Sequence, residues 1–215
     1  MNQNTKKALS VFINPLILVS FMWVIKFVEI NLDISLEKLG IYPQRFNGMK
    51  GILFTHFIHA SKGHLINNTF PLIFLGSMLF YFYKKTAWNI LILLSVISGF
   101  WLWIIGRPSY HIGASGLIYG LASFLFTSGI IKKNTNLYAV SLLIVFLYGS
   151  MIWGVLPTHL PVSWEGHLSG FIAGILLAFI YKNEGPKKKK YNWEIEEEIE
   201  ARNTEKITIN YINKK

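Results

Sequence analysis

The chain has 215 residues, no cysteine, 52% hydrophobic residues and a formal net charge of +10. Only 15% of it is Asp, Glu, Lys or Arg, against roughly 25% in an ordinary soluble domain. These figures exclude a disulfide framework, a thiol nucleophile and cysteine-ligated metal, and they argue against a soluble domain with one large core and against a nucleic-acid-binding reading of the positive charge.

Six charge-free blocks occupy 8–25, 63–83, 86–106, 108–131, 134–164 and 166–181. A membrane-spanning helix needs roughly 20 mostly apolar residues. The expected fold is therefore an all-α polytopic membrane protein, a six-transmembrane-helix bundle with spans at 9–30, 64–83, 87–106, 113–131, 136–156 and 166–182.

Lys6 and Lys7 precede the first span, and Lys26, Glu29 and Asp33 follow its apolar stretch, a pattern unlike a cleavable signal. Lys26 is expected to snorkel. The connection 31–63 contains Gly40, Pro43, Gly48, Gly51 and Gly63, which break regular helix; it is expected as an outer loop at or in the membrane surface. The second span opens with His64 and Asn68, four residues apart and so on one helix face. Lys84 and Lys85 mark a basic turn into the third span, and Arg107 the short connection after it. The fourth span opens on Gly113-Ala-Ser115-Gly116, with Tyr119 and Gly120 about one turn on. Lys132 and Lys133 mark the next basic turn. The connection 157–165 is a short outer loop with two prolines and Trp164, a residue suited to the membrane interface. The sixth span opens on Gly166-His167 and carries Gly170 and Gly174.

Of the 21 basic residues, 15 fall in segments that this topology puts on one side and 5 on the other. Basic residues favour the cytoplasmic side, so both termini are expected inside. Residues 1–183 are expected to form the membrane domain, and 184–215 a charged cytoplasmic tail, mostly disordered.

Polar groups inside spans are functional candidates by default. Spans two, four and six all descend from the outside, and they open with His64 and Asn68, with Ser115, and with His167. Gly116 and Gly120 on span four, and Gly166, Gly170 and Gly174 on span six, let two helices approach closely. That packing brings Ser115 near His167. A serine needs a base within hydrogen-bond reach to act as nucleophile, and histidine titrates in the right range. The Asn68 amide, the His64 ring N–H and the Ser115 backbone N–H are candidate donors to an oxyanion. Tyr119 is placed to stack on His167. Glu165 lies two residues before His167 and off its helix face, so a Ser–His dyad is expected rather than a triad. His111 reads as a structural residue of the outer loop, and His56 and His159 as solvated loop residues.

These motifs resemble the rhomboid family of intramembrane serine proteases, through His59-x4-His64-x3-Asn68, Gly113-Ala-Ser115-Gly116-x2-Tyr119-Gly120 and Gly166-His167-x2-Gly170-x3-Gly174. The resemblance covers about 10–182 and implies Ser115 as nucleophile, His167 as base, and His64 and Asn68 as oxyanion-hole residues. It implies cleavage of transmembrane protein substrates near the outer face. One departure stands out: many members carry a Trp-Arg pair in the first outer loop, and 31–63 has no tryptophan. The partners implied are transmembrane substrates and the lipid bilayer. No nucleic acid, cofactor or metal is called for, and no oligomeric state is assigned. The Lys-, Asn- and Ile-rich composition and the compact six-span core suggest a bacterial plasma membrane. Two alternatives are an inactive rhomboid-like binder of transmembrane segments and a metal-dependent enzyme or transporter using the histidines.

Overall fold

The computed structural model describes residues 3–157, 162–187, 192–193, 196–197 and 199–204, with side chains from Leu9 onward. Among these residues the chain is helical: α1 (Gln3–Asn31), α2 (Gly51–Phe54), α3 (Lys62–Phe82), α4 (Ala87–Ile105), α5 (Ser115–Lys132), α6 (Thr135–Tyr148) and α7 (Trp164–Ile180). A 3-10 stretch, Gly149–Val155, continues α6. Five segments are long and apolar enough to cross a membrane: Leu9–Asn31, α3, α4, α5 and Thr135–Val155. The sixth, α7, is apolar but only 17 residues long. These helices match the six expected spans within a few residues.

Local chemistry sets the helix ends. Ser61 caps α3 by accepting the His64 N–H (3.1 Å). Asn134 caps α6 by accepting the N–H groups of Asn136 and Leu137 (3.1 and 3.3 Å). Ser163 caps α7 by accepting the Gly166 N–H (3.2 Å). Such caps satisfy the backbone donors that a helix start leaves unpaired. Lys133, at φ +48°, ends α5 in the left-handed region and turns the chain into α6.

α5 sits at the centre: 56% of it is buried, against 17% for α1 and for the α6 stretch. Its buried Leu117, Leu121, Phe124 and Leu125 face a core completed by Leu72 and Leu79 of α3, Leu94 of α4 and Leu177 of α7. Small residues carry the α5–α7 contact, since Gly116 lies against the Gly166 carbonyl, and Gly120 against the Gly170 carbonyl. The Ser123 hydroxyl donates across the same seam to the Phe171 carbonyl (2.8 Å). With little hydrophobic drive between helices in lipid, such close backbone approach and interhelical hydrogen bonds carry the packing.

The connection after α1 is a set of short helical turns fastened to the bundle. Ile41 and His111 exchange two backbone hydrogen bonds (3.0 and 2.8 Å). The Gln44 N–H donates to the Trp103 carbonyl, and Trp103 Nε1–H donates to the Arg45 carbonyl (both 3.0 Å). Tyr42, Gln44 and Arg45 therefore dock on the C-terminal end of α4 without a loop tryptophan, and the Arg45 guanidinium lies over the Tyr42 ring at 4.6 Å.

Two expectations for this region change. Lys26 does not snorkel: its ammonium is bound within the protein, to Glu29 and to the carbonyls of His59 and Ala60. His56 is buried, because the loop folds beneath itself onto α4 and leaves the ring inside. His159 lies outside the described residues. Burial lowers the pKa values of His56 and His59 from 6.5 to about 4, so both rings are neutral in the fold. An unfolded chain would protonate them below about 6.5. Their stabilising contribution is thus complete above that pH and is lost progressively as pH falls toward 4. For His56 the loss is on the order of 3 kcal/mol. Thermal unfolding in detergent should show a falling midpoint across this window, and His56→Gln should shrink the fall; an unchanged midpoint in the wild-type chain would contradict neutral burial.

Candidate active site

Each expected site residue sits where a helix begins. Ser115 is the first residue of α5, His64 and Asn68 lie in the first two turns of α3, and His167 lies in the first turn of α7. The α5–α7 seam brings Ser115 Oγ to 2.9 Å from His167 Nε2. All four side chains line one open cavity of about 1050 Å3, together with Tyr119, Ser150 and Met151.

The other ring nitrogen settles the His167 tautomer. Nδ1 lies 2.9 Å from the Gly154 carbonyl oxygen. A carbonyl only accepts, so Nδ1 carries the hydrogen and donates it. Nε2 is left with a lone pair facing the Ser115 hydroxyl. Tyr119 lies flat on the imidazole, with ring centroids 4.2 Å apart and an 8° interplanar angle. The ring is therefore held by a stack on its face and hydrogen bonds at both nitrogens.

Gly154 was not foreseen. Its contribution is a backbone carbonyl at the end of the 3-10 stretch, and no side-chain motif announces a backbone acceptor. Its lack of a side chain is needed, because a Cβ there would overlap the Tyr119 hydroxyl.

The opposite wall offers donors. Asn68 is buried, and its Nδ2 has no hydrogen-bond partner among the described residues. A buried amide donor without a partner is unfavourable unless something else accepts from it. No side chain caps α5, so the N–H groups of its first turn also remain available. Gly113 adopts φ +111°, a region glycine enters readily. A Cβ on it would lie 2.6 Å from His64 Cε1 and 3.6 Å from Asn68 Nδ2. Gly113 thus lets the loop before Ser115 lie directly against both residues.

His111 joins three parts of the site. Its Nε2–H donates to the Arg107 carbonyl (3.0 Å), so Nδ1 accepts from the Ser163 hydroxyl (2.6 Å), the residue that caps α7. Burial lowers its pKa and keeps it in this neutral form. Thr55 Oγ1–H donates to the His111 carbonyl (2.7 Å) and ties in the outer loop. Glu165 is buried and turned toward Arg107, whose backbone N–H lies 3.4 Å from its Oε1. It makes no hydrogen bond to His167.

A bundle of membrane-length apolar helices enclosing a hydrogen-bonded Ser–His pair defines a helical, multi-pass membrane protein with a polar site built at its helix starts. The family model for the rhomboid domain matches residues 47–184. An uncharacterized protein of Mycobacterium tuberculosis is 31% identical over 181 residues, which is 80% of this chain and 74% of that one. An uncharacterized protein of Mycobacterium leprae is 29% identical over 205 residues, covering 86% and 77%. RHOMBOID-like protein 1 of Arabidopsis thaliana is 29% identical over 159 residues, covering 69% of this chain and 40% of its own. The chain belongs to the rhomboid family.

Proposed function

We propose that this protein is an intramembrane serine endopeptidase that cuts transmembrane segments of other membrane proteins near the outer face. The observation that carries the reading is the doubly bound His167, with Nδ1–H on the Gly154 carbonyl and Nε2 on the Ser115 hydroxyl, both at 2.9 Å. That arrangement leaves a basic nitrogen within reach of a nucleophile's proton.

The chemistry follows from the geometry. Ser115 Oγ attacks the scissile carbonyl carbon while its proton passes to His167 Nε2. The oxyanion accepts from Asn68 Nδ2, the His64 ring and the N–H groups that open α5. Collapse breaks the C–N bond, and the imidazolium returns the proton to the leaving amine. Water, deprotonated by the same nitrogen, then attacks the acyl carbon; the bond to Ser115 Oγ breaks, the acid product leaves, and Nε2 returns the proton to Oγ. The basic turns at Lys84–Lys85 and Lys132–Lys133 lie at the opposite ends of these helices from the site. They support an orientation with the site on the outer side and both termini in the cytoplasm.

Labelling by a fluorophosphonate serine probe tests the reading. The wild-type chain in detergent should take up the probe at Ser115, and Ser115→Ala should not. A chain that binds transmembrane segments but takes up no probe would be the inactive binder instead. The oxyanion assignment has its own test. Asn68→Ala should lower turnover of a model transmembrane substrate by roughly ten- to a thousand-fold, as loss of one donor does. Unchanged turnover would remove Asn68 from the oxyanion hole.

A further inference from the structure

Among the described residues, the first helix holds the one ion pair that reaches the catalytic loops from outside the matched family segment. Lys26 and Glu29 lie near the outer end of α1, before the stretch at 47–184 that the rhomboid model matches. Their side chains are 12% and 7% exposed, and Lys26 Nζ lies 3.1 Å from Glu29 Oε2. An ammonium has three N–H donors. The other acceptors around this one are the carbonyls of His59 (2.7 Å) and Ala60 (3.3 Å). The second Glu29 oxygen accepts the Leu36 N–H (2.9 Å), which fixes the chain as it leaves α1.

The two carbonyls that Lys26 grips belong to the residues just before Ser61, the cap of α3. They therefore set how α3 starts, and α3 carries His64 and Asn68. The His59 ring reaches further. It meets the His64 ring edge-on with centroids 5.0 Å apart, and its Nε2 accepts the Ala114 N–H at 3.4 Å. Ala114 directly precedes Ser115. One cation on α1 is thus two contacts from the His64 ring and three from the nucleophile's backbone.

We propose that Lys26, held by Glu29, is a positioning residue for the oxyanion hole: it clamps the 59–60 backbone so that His64, Asn68 and the start of α5 keep their mutual geometry. The proposal rests on the protease reading. Misplacement by about 1 Å from a site remote from the chemistry can lower a rate by about 100-fold, so the effect belongs on kcat rather than on substrate binding.

The test uses the full chain in detergent with a model transmembrane substrate. Lys26→Met alone strands a buried carboxylate and risks misfolding. The working variant is therefore Lys26→Met/Glu29→Gln, which leaves no buried charge and keeps an acceptor for the Leu36 N–H. It should lower kcat by about 10- to 100-fold with KM changed by less than about three-fold. Lys26→Arg, which keeps the charge and the donors, should recover most of the rate. In an Asn68→Ala background the double substitution should cost less than about three-fold, because groups acting through one hole are not additive. A kcat within about two-fold of wild type would overturn the clamp, and so would an equal fold-loss in both backgrounds. A wild-type chain that neither cleaves the substrate nor takes up a fluorophosphonate would instead overturn the protease reading on which the clamp depends.

Discussion

Ser115→Ala is expected to abolish cleavage of a model transmembrane substrate while the protein still accumulates in the membrane. The loss should be at least about 10^4-fold, the scale seen when one member of a serine–histidine pair is removed. Little structural change should accompany it. The removed oxygen has its side-chain hydrogen bond with His167, and that ring keeps its Gly154 bond and its stack on Tyr119. Ser115 also opens α5 rather than filling its interior, so no core cavity results. His167→Ala should fall to the same floor. The double variant should fall no further, because the two groups act as a unit. The measurement is substrate turnover beside the melting temperature in detergent. Retained turnover in Ser115→Ala would end its role as nucleophile, and a collapsed melting temperature would show that its role is structural.

The second large effect is expected from one added methyl group. A Cβ at Gly170 of α7 would overlap the Gly116 carbonyl oxygen and come within 2.7 Å of the carbonyl carbon. Both atoms are backbone of α5, so no side chain can swing aside and the helices must separate. Overpacking of this kind usually costs 1–3 kcal/mol, occasionally more, and backbone contact places Gly170→Ala at about the upper end of that range. The same seam sets the Ser115–His167 distance, so activity should fall beyond what lost stability explains. Gly149→Ala is the matched control, since its Cβ would meet only Val145 at an ordinary 3.8 Å. If Gly170→Ala melts and cleaves like wild type, α5 and α7 do not approach as closely as described.

The bundle was legible because membrane spans announce themselves by length and missing charge, and each block ends at a charged residue. The site at the starts of α3, α5 and α7 was legible because His64, Asn68, Ser115 and His167 are polar exceptions in apolar helices. The close α5–α7 approach showed in the four-residue glycine spacing. What stayed hidden has no period. Lys26 looked like a residue that would reach for water, because two of its three partners are carbonyls more than 30 residues away in the chain. His56 looked solvated because nothing local says that the outer loop folds onto α4. The Gly154 carbonyl is a backbone group, and its significance appears only once the 3-10 stretch has laid it beside α7.

That carbonyl has one more consequence. A carboxylate in its place would orient the imidazole equally well, but it would put a permanent negative charge among apolar helices. Gly154 supplies a fixed dipole instead. The side chains at the reacting centre, Ser115, His167, Asn68 and Tyr119, then carry no formal charge while His167 is neutral. If Ser115 attacks as proposed, imidazolium and oxyanion arise together as a transient zwitterion, made and erased within one catalytic cycle. A medium of low permittivity penalises a lone ion far more than a close pair. The resting site avoids the first, and the proposed reaction makes only the second.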